Sequence, residues 1–403
     1  MISDKMQKLI EASSPVRAMF EEGDRLTKLY GKDNVFDFSL GNPNLPAPDQ
    51  VKEAILEIIS NSNNPMLHGY NTSSAGLIDI RNDIGDSLNK RFDTSFTGDN
   101  IVMAVGAAGG LNVVLKTLLN PGEEVIVFAP FFGEYRHYVS NYQGELVIIS
   151  PDTTSFLPRL HELKEKITCK TKAVIINTPN NPTGVVYSKD FITSIASILS
   201  EKQEEFGTNI YLISDEPYRE LVYDNVEAFF LTQFYHNTIV VYSYSKSLSL
   251  PGERIGYIVV PDQVNHSKLI LSGLTVATRI LGFVNAPSIM QRVIGKCLWT
   301  TTDITYYKRN RDKLEEILRP LGFEFISPKG AFYLFVKSPI DDVEFCNIAR
   351  EYNILLGPGT AFGCPGYFRI AYCVSYETII NSKESFKKLA NKYAMGNDDD
   401  KEV

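Results

Sequence analysis

The sequence reads TIVVYSYSKSLSLPGERIGY from Thr238 to Tyr257. It opens with a β-branched apolar run, which predicts a buried strand, and then breaks into small hydroxyl residues around Lys246. A lysine at the end of a buried strand can lose its proton, because desolvation and nearby positive charge both lower a lysine pKa. Only the neutral amine attacks a carbonyl, so Lys246 is a candidate nucleophile and Arg254 a candidate source of that charge. The alternative is a surface lysine in a serine-rich turn.

Short predicted strands, loops and helices alternate along the chain from about residue 100. The β-branched runs are Ile101–Val105, Glu124–Phe128, Gly144–Ile149, Ala173–Asn177, Asn209–Ser214 and Ile239–Tyr242. Helical stretches separate several of these runs, which predicts an α/β domain with a mostly parallel sheet and helices on both faces. Ligands bind beyond the carboxyl ends of the strands in such sheets, so the residues that follow the strands are the candidates for a site.

Polar side chains follow three of the predicted strands. Asn181 follows the first, Asp215 and Tyr218 the second, and Lys246 the third. Each has a purely structural alternative: Asn181 as a turn residue, Asp215 as a helix N-cap and Tyr218 as a core aromatic. Those alternatives leave the convergence of an amide, a carboxylate, a phenol and an amine on one edge of the sheet unexplained.

A glycine-rich segment lies between the strand at residues 101–105 and the next predicted helix. Gly106–Gly110 reads GAAGG and predicts a turn, followed by a helix over Leu111–Leu119. Backbone N–H groups at such a helix start can hold a phosphate, although small residues also serve close packing of helix and strand. The segment is not GxGxxG, and no GK[ST] follows it, so it predicts neither a dinucleotide site nor a nucleotide P-loop.

Composition excludes several classes of protein. The 403 residues are 44% hydrophobic and carry a net charge of -8, which argues against a nucleic-acid-binding surface. No apolar run reaches the roughly 20 residues that a membrane span needs. The N-terminal MISDKMQKLIEASS lacks the pattern of a signal peptide, so a cytoplasmic protein is expected. The five cysteines form no close CxxC pair, and neither disulfides nor a metal site is expected.

The predicted domain organisation has three parts. Residues 1–48 form an N-terminal arm and a segment of the small domain, residues 49–285 the large domain, and residues 286–403 a smaller C-terminal α+β domain. Asp303–Leu318 predicts a long polar helix of this last part. Phe368–Ala371 predicts a strand that carries Arg369.

Four motifs, in this order, resemble those of the class I/II aminotransferases that depend on pyridoxal phosphate and have fold type I. They are N-P-x-G at Asn181–Gly184, D-x-x-Y at Asp215–Tyr218, S-x-S-K with a later arginine at Ser243–Arg254, and F-R-I at Phe368–Ile370. The likeness runs from about Asp37 to Tyr372. It implies a large cofactor-binding domain, with a seven-stranded, mostly parallel sheet between helices, and a smaller α+β domain.

The resemblance also implies roles for the candidate catalytic residues. Lys246 would form the Schiff base with pyridoxal 5'-phosphate and then carry the proton to and from the substrate α-carbon. Asp215 would keep the pyridine nitrogen protonated, which makes the ring an electron sink. Tyr218 and Asn181 would hydrogen-bond the ring oxygen.

Further residues would hold the cofactor and the substrate, according to the same resemblance. Those assigned to the cofactor are Ala107, Ala108, Ser243 and Arg254 on the phosphate, Phe132 on the ring face, and Tyr70 reaching the phosphate from the partner subunit of a homodimer. Arg369 would grip the substrate α-carboxylate with its planar fork, and Gly41 and Asn181 would adjoin that carboxylate. Many relatives have Ser or Thr where this chain has Ala108.

The resemblance implies transamination between an L-α-amino acid and a 2-oxo acid, with aspartate as the first expectation for the donor and 2-oxoglutarate for the acceptor. Arg279 is a candidate for reading the substrate side chain; its alternative is a surface or interface salt bridge.

A β-lyase on the same scaffold would use the same lysine and electron sink. Ser243–Lys246 also fits the S-x-x-K motif of serine acyl-enzymes, but no S-D-N or K-T-G accompanies it. A non-catalytic binding protein is the remaining alternative.

Overall fold

The computed structural model describes residues 2–60 and 65–393, with the backbone alone at residues 11–21 and 24. The chain divides into two compact units. The first comprises Met1–Gly41, Tyr306–Ser327 and Phe332–Val403, and the second Asn42–Thr305 and Pro328–Ala331. The predicted domain boundaries after residues 48 and 285 stay a prediction, and the end of the predicted small domain, residues 394–403, lies outside the described ranges.

The helices and strands follow one another through both units. The helices are α1 (Asp4–Tyr30), α2 (Asp49–Ser60), α3 (Ile78–Phe92), α4 (Gly106–Leu118), α5 (Tyr135–Asn141), α6 (Leu160–Lys166), α7 (Lys189–Phe206), α8 (Tyr244–Ser247), α9 (Ser267–Ile280), α10 (Ser288–Lys296), α11 (Ile304–Leu318), α12 (Asp342–Ala349), α13 (Tyr376–Asn381) and α14 (Lys383–Lys392). The strands are β1 (Phe36–Asp37), β2 (Ile101–Ala104), β3 (Glu124–Phe128), β4 (Glu145–Ile149), β5 (Thr171–Asn177), β6 (Tyr211–Asp215), β7 (Thr238–Ser243), β8 (Gly256–Val259), β9 (Tyr333–Lys337), β10 (Ile354–Leu355), β11 (Gly357–Pro358) and β12 (Tyr367–Ala371). Among the helices in the described ranges, none is both long and apolar enough to cross a membrane. The expected cytoplasmic location stays a prediction.

The second unit is built on a seven-stranded sheet in the order β2-β8-β7-β6-β5-β3-β4. Strand β8 runs antiparallel to both of its neighbours, and the remaining pairs are parallel. Alternate residues of each strand enter two different cores: Val125 packs with residues of α4 and α9, and Ile126 packs with residues of α6 and α7. Both faces of the sheet are therefore buried under helices, as the continuous apolar runs predicted, and the predicted α/β class is confirmed.

The glycine-rich segment is helix rather than turn, so the prediction for Gly106–Gly110 was wrong. Helix α4 begins at Gly106 and includes all five residues. A Cβ atom on Gly110 would lie 2.7 Å from Val241 of β7, and one on Gly109 would lie 3.2 Å from Val105. The glycines are therefore required by the close approach of helix and sheet, and this packing outweighs their poor helix propensity.

The first unit has an α+β arrangement. Strands β11, β12 and β9 form an antiparallel sheet in that order, and β1 pairs in parallel with β10. The predicted helix at Asp303–Leu318 is present as α11, one residue shorter at its start. Phe323, Phe345, Phe368 and Phe386 are buried and pack their rings against one another, with centroids 4.8–6.5 Å apart. This aromatic core fixes β12, the strand that carries Arg369.

Candidate active site

Three adjacent strands of the second unit deliver the candidate catalytic residues. In the sheet register, Asn177 at the end of β5 lies opposite Asp215 at the end of β6, and Asp215 lies opposite Val241 of β7. The segments that carry Asn181, Tyr218 and Lys246 therefore leave the sheet side by side at one edge. This is the edge at which open α/β sheets bind ligands.

Asp215 has the most informative environment of these residues. It is 5% exposed, and its Oδ2 accepts a hydrogen bond of 2.5 Å from the hydroxyl of Tyr135. Its Oδ1 is buried and has no hydrogen-bond partner in the part of the chain that the structure describes. Burial raises the pKa of Asp215 to about 7, although the Tyr135 bond lowers it and Glu216 raises it further. A buried carboxyl oxygen open to a donor fits the protonated nitrogen of a pyridine ring.

Tyr135 and two asparagines that shape this edge were not predicted from the sequence. Asn177 Nδ2 donates to the Asp215 carbonyl oxygen over 2.9 Å, and Asn177 Oδ1 accepts from the Asn181 N–H over 2.8 Å. Asn180 Oδ1 accepts from both the N–H and the hydroxyl of Thr183. All are buried. The available signal was a run of amides at a strand end, Asn177, Asn180 and Asn181, of which only the last was singled out.

Lys246 lies on α8, a single helical turn that directly follows β7. Ser243 begins this turn: its hydroxyl accepts from the Ser245 N–H over 3.2 Å and hydrogen-bonds the Ser245 hydroxyl over 2.8 Å. The Tyr244 N–H donates to the Ile255 carbonyl, which ties the turn to the segment before β8. Lys246 is partly buried, so the alternative of a freely exposed surface lysine does not describe it.

An anion-binding arrangement lies beside this turn, at the start of α4. No side chain in the described ranges caps the α4 N-terminus, so its first N–H groups, those of Ala107 and Ala108 among them, are available to a ligand. Arg254 donates to the carbonyls of Pro251 and Val105. A Cβ on Gly106 would lie 2.7 Å from Arg254 Nη2, so glycine is what lets the guanidinium reach the helix end. The combination fits the phosphate of pyridoxal phosphate.

Two aromatic residues named from the resemblance have different environments. Phe132 is partly buried and packs edge-on against Tyr135, with ring centroids 5.6 Å apart. Tyr70 is 80% exposed. Its segment is fastened within the unit by Asn285, whose Oδ1 accepts from the Asn71 N–H and whose Nδ2 donates to the Ser73 carbonyl. Arg279 is exposed on the last turn of α9, and its role as a reader of the substrate side chain stays a prediction.

The first unit brings Arg369 and Gly41 to the same aromatic residue. Arg369 is buried, and its Nη2 donates to the Ser39 carbonyl over 2.6 Å. Its guanidinium carbon lies 4.6 Å from the ring centroids of both Tyr333 and Phe362. A Cβ on Gly41 would lie 2.0 Å from the Tyr333 hydroxyl, so only glycine fits there. Tyr333 was missed because, within the run of apolar residues around it, nothing marked it as different from the core.

Comparisons with known proteins agree on one family. The family described as aminotransferase class I and II matches residues 33–381. The aspartate aminotransferase of Thermotoga maritima is 28% identical over 96% of this chain and 97% of its own length. Among solved structures, an aminotransferase from Eubacterium rectale has a TM-score of 0.94 and 43% identity, covering 98% of this chain and 99% of that one. A single mutant of Thermus thermophilus aspartate aminotransferase has a TM-score of 0.85 and 27% identity, covering 96% and 99%.

The family match covers most of the chain, and the structural matches cover nearly all of both chains compared. The fold, with its mostly parallel seven-stranded sheet, is that of the aspartate aminotransferase structures. The predicted cofactor and enzyme class are thereby confirmed. This chain belongs to the class I and II aminotransferases, a family of enzymes that depend on pyridoxal phosphate.

Proposed function

We propose that this aminotransferase takes the amino group of an L-α-amino acid, aspartate first among the candidates, and transfers it to 2-oxoglutarate. The choice of aspartate is supported by the relatives from Thermotoga maritima and Thermus thermophilus, both of which are aspartate aminotransferases by name. The observation that carries the site assignment is the buried Oδ1 of Asp215, open to a donor at the edge where Lys246 leaves the sheet.

Lys246 and Asp215 divide the acid–base work between them. Bound pyridoxal phosphate supplies the carbonyl carbon that takes up the amino group and a ring that withdraws electrons. The Lys246 amine, when neutral, removes the proton from the substrate α-carbon as a general base and, as the ammonium acid, gives that proton up again within the same half of the cycle. Asp215 holds a proton on the ring nitrogen, with Oδ1 as the atom available for that bond. Tyr135 keeps the carboxyl group in place through Oδ2.

The remaining residues of the second unit orient the cofactor. Arg254 and the α4 N-terminus, through the N–H groups of Ala107 and Ala108, bind the phosphate, and the hydroxyl of Ser243 adds a further donor. Asn181 and Tyr218 donate to the ring oxygen. Phe132 covers the ring face and excludes water. This assignment is supported by the guanidinium that lies against Gly106 at an uncapped helix start.

Arg369 binds the substrate α-carboxylate, and the backbone of Gly41, in the same unit, adjoins it. The guanidinium is oriented before substrate arrives, because the Ser39 carbonyl accepts from one nitrogen and two aromatic rings flank its plane. Such preorganisation reduces the entropy cost of bidentate hydrogen bonding between the guanidinium and the substrate carboxylate. A lysine at this position would bind as a point charge and would lose that geometry.

We place this function in a homodimer in which Tyr70 reaches the phosphate of the partner subunit. The exposure of Tyr70 supports this, since its ring finds little cover within one chain. An exposed apolar row on α9, formed by Leu269, Val276 and Ile280, supports a second copy as the covering surface. Sedimentation of the holoenzyme, with Leu269→Asp as the perturbation, tests it: a monomer in the wild type would rule out the shared site.

The function is tested by adding single amino acids to the holoenzyme without any oxo acid while its visible absorbance and released ammonia are followed. Loss of the visible band without ammonia is the expected result for aspartate, and the first amino acid that produces it is the donor. Steady ammonia release with an unchanged band would instead establish a β-lyase.

Lys246→Ala should keep the fold and lose turnover; a variant with near-wild-type rates would remove Lys246 from the mechanism.

A further inference from the structure

A largely buried cluster of charged and aromatic side chains lies next to the candidate site in the second unit. Its members are Glu216, Arg219, Glu220, Tyr242, Tyr244, Ser247 and Tyr257. The segment from Asp215 to Glu220 reads DEPYRE, and it contributes Asp215 and Tyr218 to the proposed site but Glu216, Arg219 and Glu220 to this cluster. The mechanism above uses none of the cluster residues, although their neighbours in sequence perform the chemistry.

Arg219 is the centre of the cluster. It is 5% exposed; its Nε donates to Glu216 Oε2 over 2.6 Å and its Nη1 to the Tyr257 hydroxyl over 3.1 Å. Its guanidinium carbon lies 4.4 Å from the centroid of the Tyr242 ring. Burial raises the pKa of Glu216, but Arg219 opposes that rise. Burial alone would lower the pKa of Arg219, and the surrounding tyrosine and carboxylate groups reverse this, so a charged pair is held under Tyr242.

Tyr242 connects this pair to the turn that carries Lys246. Its hydroxyl donates to Glu220 Oε2 over 2.8 Å and lies 2.8 Å from the Ser247 hydroxyl. A phenol has a single proton, so Ser247 must be the donor in the second bond. Ser247 is the residue after Lys246 and the last residue of α8. One hydroxyl thus links the segment that follows Asp215 with the turn of Lys246.

We propose that Tyr242 is a positioning residue for Lys246. The Tyr242 hydroxyl fixes the α8 turn relative to the Asp215–Tyr218 segment, and Arg219 supports the Tyr242 ring. A helix of one turn has little stability of its own, so the direction of Lys246 depends on contacts such as this one. Catalytic groups need to be held to about 0.5 Å. The inference rests on the proposed roles of Lys246 and Asp215.

The test compares variants that cut the link with a variant that removes a buried tyrosine hydroxyl elsewhere. Tyr242→Phe and Ser247→Ala each break the link from one side. Tyr235→Phe is the matched control, because Tyr235 is equally buried and its hydroxyl donates to the Ile210 carbonyl over 2.8 Å in a different core. Thermal unfolding of each holoenzyme measures the structural cost alone.

Two readouts separate positioning from stability. In the holoenzyme without substrate, Tyr242→Phe should shift the pKa of the visible absorbance change by about half a unit or more, because the turn of Lys246 would lose a contact that fixes it relative to Asp215 and Tyr218. It should also lower kcat about tenfold or more with little change in KM. Tyr235→Phe should change neither, even where it lowers the unfolding temperature equally.

The double variant decides whether the link acts as a unit. With both sides of one contact removed, Tyr242→Phe with Ser247→Ala should lose no more kcat than the worse single variant. Additive losses, or a band pKa in Tyr242→Phe that moves no more than in Tyr235→Phe, would overturn the proposal. Should Tyr242→Phe fail to bind cofactor, Ser247→Ala tests the same link with the ring in place. Covalent attachment of the cofactor to Lys246→Ala after borohydride reduction would instead contradict the proposed function.

Discussion

Asp215 should make the cofactor-free protein less stable as the pH rises. Burial raises the pKa of this carboxyl from 3.8 to about 7 in the folded protein. A group whose folded pKa is raised contributes stability that is fully present below its unfolded pKa and is lost as the pH rises through the folded pKa. The loss should therefore begin near pH 4 and be complete a little above pH 7.

The size of this effect follows from the two pKa values of Asp215. The difference of 7 and 3.8 is about 3 units, and each unit is worth about 1.4 kcal/mol, so the loss is about 4 kcal/mol. Asp215→Asn has the same shape and can still accept from Tyr135, but it cannot ionise and should not show the loss. All other titrating groups are shared, so the difference between the two proteins isolates Asp215.

The assay is urea unfolding of both cofactor-free proteins between about pH 4.5 and pH 8. For an m value of about 4 kcal/mol per M in a chain of this size, the wild-type midpoint should fall by about 1 M relative to Asp215→Asn. Saturating pyridoxal phosphate should restore the wild type more than the variant, because the ionised carboxylate gains a cationic partner. Parallel pH curves for the two cofactor-free proteins would refute the reasoning.

Three further substitutions test individual contacts. Tyr135→Phe removes the bond that lowers the pKa of Asp215, so that pKa should rise by about 1–2 units, since a hydrogen bond to a charged group is worth about 1.5–3 kcal/mol; an unmoved pH curve of unfolding would contradict this. Arg254→Gln should weaken pyridoxal phosphate binding to the cofactor-free protein by about tenfold or more in equilibrium dialysis, and wild-type affinity would remove Arg254 from the phosphate site. Arg369→Lys keeps the charge but loses the fork, so KM for the amino acid should rise about tenfold or more while kcat changes less; a fall in kcat alone would argue against carboxylate binding.

The strands of the large sheet were predictable because burial on both faces gives them continuous β-branched runs. Glu124–Phe128 matches β3 residue for residue, and Ala173–Asn177 lies within β5. Strand β8 was missed, since Gly256–Val259 is short and follows a loop that the lysine motif already explained. Strand β8 runs antiparallel to β7, the strand directly before it in the chain, and to β2, whose residues lie more than 150 positions away. No local pattern records the second pairing.

The site divides in the same way between local and long-range information. Asn181, Asp215 and Lys246 were found because each follows a strand, and that position is visible in the sequence. Tyr135 was not, because its contact with Asp215 spans 80 positions and its neighbours Phe131 and Phe132 make it resemble another core aromatic. Only the bond of its hydroxyl to a buried carboxylate separates it from them.

The segment DEPYRE shows why charge patterns mislead at a central strand. Glu216, Arg219 and Glu220 together read as a solvated turn, where charged residues usually lie. They follow β6, however, which has neighbours on both sides, and the structure buries Glu216 and Arg219 almost completely. A buried ion pair is weak evidence for stability, since apolar side chains of similar volume often serve as well. The pair instead packs under the Tyr242 ring, whose hydroxyl reaches the turn of Lys246, so its burial is better explained by the geometry that Asp215 and Lys246 must keep.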